Sequence, residues 1–453
     1  MIKACLVFNV LHNLLSYTVF DVHLNVLQYE ERKKNYIKDE DGNKSEDLLD
    51  ITSWVKERIG LAKASKDFDL AAVNFNSYPG GLVHLDGDGK PLSPVIGTGK
   101  LLGYKTKKQI QEILDKDQSL KKKLQLAELS FETAALQLFY LKINKPELFH
   151  KIKRSLSLAQ YLQSVFTKKS FHDHTIIGCH SASWDFENHG YHPWLEEQNL
   201  EAMKQDIVSS SEVTISEDII AFGPGIYYKV AETIPFLAVI KEPFVLLSTG
   251  AWTSCINPFN NTLSSESVLK NNCFNILNEH GQIIKMARLF SGNEHTRQIQ
   301  HLERHFDAAS GNCFNISYNP DIIRKLRSSV PQVLPEGTEL GDGVDSPFME
   351  RNLNTFDSIE EAYHQFIMDL VAQQVASIKL TITNNDYIKK VFVEGGLAKN
   401  EIFMELLSEA FHNKGIYKVG FDNTAAMGAA MVIGHAWGAK NPTKELLKLE
   451  LVS

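Results

Sequence analysis

Short apolar runs open the chain. Ala4–Phe8 is continuous, Leu14–Asp21 forms a second run, and His23–Glu30 alternates with period two, so three consecutive strands are predicted. Glu46–Ala64 then sets Leu48, Leu49, Ile51, Trp54, Val55, Ile59 and Leu61 at helical spacing, an amphipathic helix. Asp69–Phe75 reads as a buried strand. Gly80–Leu85 reads as another, running into the turn Asp86–Gly89, whose Asp-Gly-Asp-Gly composition favours a tight reversal. From about residue 106 to 167 the pattern is helical. Ala134–Ile143 and Ser155–Phe166 are its clearest helices, with Asn144–Glu147 between them. Residues 175–195, rich in His, Trp and Gly without periodicity, read as an ordered loop of the kind that carries ligand contacts.

Ser216–Phe222 is strand-like, and Gly223–Gly225 turns it into a helix expected to start at about Ile226. Pro243–Ser248 begins a new strand, turns at Thr249–Gly250 and continues as Ala251–Asn257, with Cys273–Leu277 as a third apolar run. This repeats the strand–turn–strand–strand opening of the chain. Two halves that begin alike, in a chain too long for one ordinary core, predict domains at residues 1–240 and 241–453. The second half carries helical patterns at Gly292–His305, Ile359–Thr383, Asn400–Phe411 and Thr424–Trp437. Strands at Lys390–Val393 and Ile416–Val419 lie among them, which gives an α/β class with mixed sheets flanked by helices.

Charge and composition narrow the function. A net charge of −8 opposes nonspecific nucleic-acid binding, which depends on phosphate neutralisation. The basic clusters Lys105–Lys108 and Lys121–Lys123 are interleaved with acids and read as a solvated helix face. No run of about 18 apolar residues suggests a membrane span, and the first residues read as a strand, not a signal peptide. Five scattered cysteines without a C-x-x-C pair indicate neither a disulfide framework nor a zinc site, and a cytoplasmic location is expected. The spacing of His172, His174, His180, His189 and His192 fits no zinc signature.

Two strand–turn–helix junctions carry the candidate chemistry, because a helix N-terminus favours negative charge. One is Phe222–Leu237. The other is Val391–Phe411, where Gly395 and Gly396 follow a buried strand and permit close backbone approach by a ligand. With the Leu247–Trp252 turn and the small-residue stretch Asn423–Ala430, these segments resemble FGGY-family carbohydrate kinases, particularly the rhamnulokinase and L-fuculokinase branch. Asn74–Asp86 and Ile176–Phe186 resemble that family's sugar-side stretches, and the correspondence runs collinearly through nearly the whole chain.

The resemblance implies two actin-like ATPase (ribonuclease H-like) lobes with a ligand cleft between them, ATP and Mg²⁺ as cofactors, and phosphorylation of a sugar hydroxyl. It implies nucleotide contacts at Thr249, Gly250, Gly395, Gly396 and Asn400, and substrate contacts at Tyr78, Trp184 and Asp185. Arg288 and Glu294-His295 resemble a stretch that buttresses the cleft. A homodimer is a further expectation, with a sugar and a nucleotide as partners and neither nucleic acid nor membrane.

Several positions depart from the family pattern. Its first strand normally ends in an aspartate followed by a glycine-bearing phosphate turn, where this chain has Asn9 and Leu11. An amide lacks the charge that organises a metal, and a branched side chain fills space needed by phosphate. The family's His-Asp pair, whose Asp is the general base, corresponds here to Tyr227-Tyr228. A phenol titrates near about 10 and donates at neutral pH. Glu232 lies one helical turn on, about 5.4 Å, too far for in-line base catalysis. Gly81 replaces a polar sugar contact and Ala251 a phosphate-facing threonine. The sequence therefore predicts a kinase fold with weak or absent phosphotransfer, no catalytic residue at Tyr228 and no resident metal ligands. The competing expectation is a non-catalytic sugar- or nucleotide-binding regulator or scaffold.

Overall fold

The computed structural model describes residues 1–96, 100–329, 346–383 and 387–452. It divides into two compact units. The first comprises Met1–Val239, Asn275–Ile283 and Asn423–Thr443; the second comprises Ile240–Phe274, Ile284–Asp422 and Lys444–Ser453.

In the first unit the apolar strand Ile2–Val10 is the centre of the sheet. It pairs antiparallel with Leu14–Asp21 and parallel with Phe68–Ser77, and Val26–Lys33 closes one edge. Ala221–Phe222 and Ile226–Tyr227 both pair with Phe68–Ser77 on its other side. Both central strands are buried on their two faces along most of their length, Ile2–Val10 from Ala4 onward. One face of Ile2–Val10 and Phe68–Ser77 packs Phe8 and Phe75 against Trp54 of the Leu48–Lys63 helix, which Asp47 caps by accepting from the Asp50 N–H. The helix Thr424–Val432 lies against the same two strands and the helix Tyr228–Val239. A separate helical layer, built on Ile110, Leu114, Leu124, Leu138 and Trp194, has its own apolar core.

In the second unit Phe244–Thr249 takes the central role. It pairs antiparallel with Thr253–Asn257 and parallel with Lys390–Gly395, which pairs parallel with Gly415–Val419. The start of each unit is thus the same motif, a strand joined by a hairpin to an antiparallel neighbour and flanked by a later parallel strand. The buried 23-residue helix Ile359–Thr381, capped by Ser358, packs with Glu401–Ala410 over this sheet.

Several elements differ from the sequence expectation. The neighbour of Thr253–Asn257 is Ile283–Leu289, and Cys273–Leu277 lies beyond it at the edge. The run Ser216–Phe222 contributes only Ala221–Phe222, and the next helix begins at Tyr228 because Ile226–Tyr227 is still paired as a strand. Pro146 begins a helix of its own, Pro146–Lys151. Residues 175–195 hold a two-residue hairpin, Trp184–Asp185 against Gly190–Tyr191, between the short helices His174–Ile177 and Trp194–Glu197. Among the described residues, no helix is long and apolar enough to cross a membrane.

Candidate functional site

The first unit gathers the candidate sugar-side residues and the Tyr228 junction. Asn9, at the end of the first strand, is buried in an amide network. Its Nδ2 donates to Ser16 Oγ (3.3 Å), and its Oδ1 accepts from Asn76 Nδ2 (2.7 Å). The Asn76 amide also donates to the Ala425 carbonyl (2.9 Å), and Asn74 Nδ2 to that of Ala429 (2.8 Å). These asparagines anchor the Thr424–Val432 helix. Their placement on a buried strand was a readable signal, since buried amides need specific partners.

The turn after Asn9 is packed by the chain's own rings. His12 lies on Tyr78 with 3.8 Å between ring centroids, and Tyr36 Oη sits 2.6 Å from the His12 carbonyl oxygen and 2.8 Å from Asn13 Oδ1. The Tyr78 hydroxyl donates to Glu46, whose other carboxylate oxygen holds Lys34 Nζ at 2.6 Å. Burial, reinforced by Glu46, pushes the Tyr78 phenol well above its ordinary value. Burial lowers the Lys34 ammonium despite the opposing pull of Glu46. Tyr78 therefore spends its hydroxyl inside the protein. A side chain at Gly81 would sit 3.0 Å from its ring. No sequence pattern links Lys34 and Glu46, because strand pairing and not helical spacing brings them together.

Asp185 closes a local turn by accepting from the Glu187 and Asn188 N–H groups (2.9 and 3.0 Å) and from Asn188 Nδ2 (2.9 Å). Burial raises its pKa, but these donors outweigh it and hold the carboxyl below its usual range. Trp184 is buried, edge-on to His174 at 6.4 Å, and its indole N–H has no acceptor among the described residues.

Tyr228 begins the Tyr228–Val239 helix, its ring edge-on to Tyr227 at 5.4 Å. The Tyr227 N–H donates to Thr175 Oγ1 (2.8 Å). Lys229 Nζ lies over the Tyr228 ring (4.8 Å) and pairs with Glu232 at 3.1 Å, with both charged side chains nearly buried. Glu232 is the nearest acid in sequence to Tyr228, and its carboxylate is neutralised by that lysine.

In the second unit Thr249, Gly395, Gly396 and Leu397 are brought together. Thr249 Oγ1 donates to the Glu394 carbonyl (2.6 Å) and accepts from the Leu397 N–H (3.0 Å), while the Thr249 carbonyl accepts from the Gly396 N–H (3.2 Å). Gly395 has φ +86°, and a Cβ there would lie 2.0 Å from the Thr249 carbonyl oxygen, so glycine is required for the chain itself. Gly396 faces open space, and Gly250 is exposed with room for a Cβ. Asn400 caps the Glu401–Ala410 helix by accepting from the Phe403 N–H (2.8 Å) and donates to Tyr363 Oη (2.7 Å), which contacts His295 Nε2 at 2.9 Å. Burial lowers the His295 pKa to about 4 and raises the Tyr363 phenol. Glu294 binds Arg297 and Gln298 on its own helix, and Arg288 lies over the Trp252 ring at 4.5 Å.

The turn Asn9–Asn13 offers a divalent metal no carboxylate. Among the described residues no three His, Cys, Asp or Glu side chains converge. At the first hairpin the side chain is a neutral amide whose oxygen already accepts a hydrogen bond.

Residues 241–442 match the family described as carbohydrate kinase FGGY, C-terminal domain, a little under half of the chain. A search of curated proteins finds no sequence match. The fold is that of solved carbohydrate kinases. A xylulose kinase from Lactobacillus acidophilus superposes with a TM-score of 0.79 at 15% identity, covering 100% of this chain and 93% of that one. A carbohydrate kinase from Novosphingobium aromaticivorans gives 0.77 at 15% identity, covering 100% and 94%. A glycerol kinase from Plasmodium falciparum, solved with ADP, gives 0.74 at 14% identity, covering 96% and 90%. The expected actin-like ATPase fold, mixed sheets flanked by helices, is the one observed. At these identities the structural likeness carries the fold alone.

Proposed function

We propose that this chain is an FGGY-type sugar-kinase homologue that binds a sugar and a nucleotide but transfers phosphate weakly or not at all. The family reaction would be ATP- and Mg²⁺-dependent phosphorylation of a hydroxyl on a ketose of the rhamnulose or fuculose type. The reading rests on the junction where the resemblance places the general base. Phosphoryl transfer there needs a carboxylate within hydrogen-bond reach of the sugar hydroxyl. The junction offers the Tyr228 phenol, and the only acid on its first turns is tied to Lys229 at 3.1 Å.

Retained binding has its own support. The Trp184 indole N–H is a buried donor without an acceptor among the described residues, a costly arrangement that a sugar oxygen would relieve. At Gly250 and Gly396 a Cβ would meet no close neighbour, so a ligand can approach the backbone there, and the fold is shared with a kinase solved with ADP. If turnover is absent altogether, the same observations describe a sugar- or nucleotide-responsive regulator, or a scaffold subunit paired with an active homologue.

Thermal shift with ATP–Mg²⁺, ADP and a panel of ketoses, followed by a coupled ADP-release assay, tests this. Stabilisation by a ketose without turnover is the expected result. Turnover at ordinary kinase rates, roughly 1–100 s⁻¹, would overturn it.

A further inference from the structure

Charge is unevenly divided along this chain. Between residues 100 and 154 it carries thirteen Lys and Arg against six Asp and Glu, a net of +7, which leaves −15 for the remainder. That segment belongs to the first unit and supplies much of its separate helical layer. Twelve of the thirteen cations are lysines; Lys100 and Lys145 pair with Asp39 or Asp41, and Lys122 with Glu187, acids that lie outside the segment.

The charge is concentrated at the start of the Gly103–Lys116 helix. Thr106, Ile110 and Leu114 face the core. At 100° per residue, Tyr104, Lys105 and Lys108 lie on the outward side and Lys107 on its flank. All four are exposed. Just before the helix Leu101 is 78% exposed, and Tyr104 is 83% exposed. The acids Glu112 and Asp115 lie farther along the same helix, toward its other end.

Helix energetics alone do not favour this arrangement. The first turn has no acidic residue, no side chain caps the helix, and lysines gather at the end where the macrodipole is already positive. Local rules broken at an exposed place point to a use for the surface.

We propose that the Leu101–Lys108 surface docks on an anionic phospholipid bilayer, with Leu101 and Tyr104 entering the headgroup region and Lys105, Lys107 and Lys108 over the phosphates. Exposed lysines on long apolar stems act as diffuse point charges suited to a fluid headgroup layer, whereas nucleic-acid readers rely more on forked arginines. Leucine and tyrosine side chains partition into the interface once charge has brought the surface close. This peripheral contact needs no spanning segment, and it departs from the sequence expectation of a solvated helix face and no membrane partner because Lys105, Lys107 and Lys108 sit together at one helix end, apart from Glu112 and Asp115.

Sedimentation of the full chain with vesicles tests it. Phosphatidylserine-containing vesicles should pellet the protein and phosphatidylcholine vesicles should not, and binding should fall as salt rises from about 0.05 to about 0.5 M. The triple change Lys105→Gln, Lys107→Gln, Lys108→Gln should weaken binding by on the order of a hundredfold. Leu101→Ser with Tyr104→Ser should weaken it further at high salt than at low. Each side chain is exposed, so the melting temperature should stay as in the parent protein and serves as the control for folding. Failure to pellet with phosphatidylserine, equal binding to both vesicle types, or tighter binding to a DNA duplex that the same lysine changes abolish would each overturn the proposal.

Discussion

Trp184→Phe keeps a buried benzene ring and removes the pyrrole half of the indole together with its N–H. The donor has no acceptor among the described residues, so relief of its desolvation offsets part of the cavity cost, and the melting temperature should fall by less than an ordinary large-to-small change at a buried site would cause. If a sugar oxygen accepts from it, the same change should weaken sugar binding by roughly tenfold, as one hydrogen bond of about 1–2 kcal/mol does. Titration of parent and variant with the stabilising ketose, read by thermal shift, separates the two effects. Tyr228→Asp is the complementary test. Restoring a carboxylate at the start of its helix should not restore ADP release, because Asn9 remains an amide held by Asn76 and Ser16, and the adjoining turn remains packed by His12 on Tyr78. Recovery of turnover from that single change would show that the base alone was missing.

Among the elements, the helices Tyr228–Val239 and Thr424–Val432 are packed with their backbones in close approach. A Cβ at Gly428 would lie 1.9 Å from the Ala231 carbonyl oxygen, which backbone atoms cannot yield to without separating the helices. Gly428→Ala should therefore cost at least about 2–3 kcal/mol despite its better helix propensity. Denaturant melts would detect this, and an unchanged midpoint would mean the helices part easily.

The same pair shows how far the sequence could be read. The small residues of Asn423–Ala430 stood out and the strands beside them followed from period and apolar runs, because local pattern encodes local structure. Asn74 and Asn76, which bind the helix to the sheet, and Asn9, which supports Asn76, did not stand out as a group, since Asn9 and Asn76 are far apart in the chain and meet only when two strands pair in parallel. Tyr78 was expected at the sugar side from the family resemblance. Its burial against Glu46 and Lys34 was not, because that contact depends on hairpin geometry far upstream.

Across the whole molecule, buried neutral histidines set the acid limit of stability. His84 and His172 in the first unit and His295 in the second are each pulled down to about 4 by burial, against about 6.5 when unfolded. A lowered folded value means that the unfolded chain binds more protons between those two values. The stabilisation is therefore complete above about pH 6.5 and is lost as pH falls toward about 4. Melting temperature should decline steadily across that window, and His84→Gln should flatten part of the slope. A flat profile from about pH 6.5 to 4 would mean these rings are not held neutral.

The division into units also has a consequence for how the chain acquires its shape. The backbone passes between units at 239/240, 274/275, 283/284, 422/423 and 443/444. The first unit, although it begins at Met1, needs residues 423–443 to cover its sheet. On a ribosome that emits the N-terminus first, the Asn74 and Asn76 amides must wait for Ala429 and Ala425, some 350 residues later. Until then one face of the oldest sheet stays bare, a long interval at synthesis rates of about 5–20 residues per second. A nascent chain paused before residue 423 would be a natural client for a chaperone, and a premature stop there would strand the first unit as well as the second.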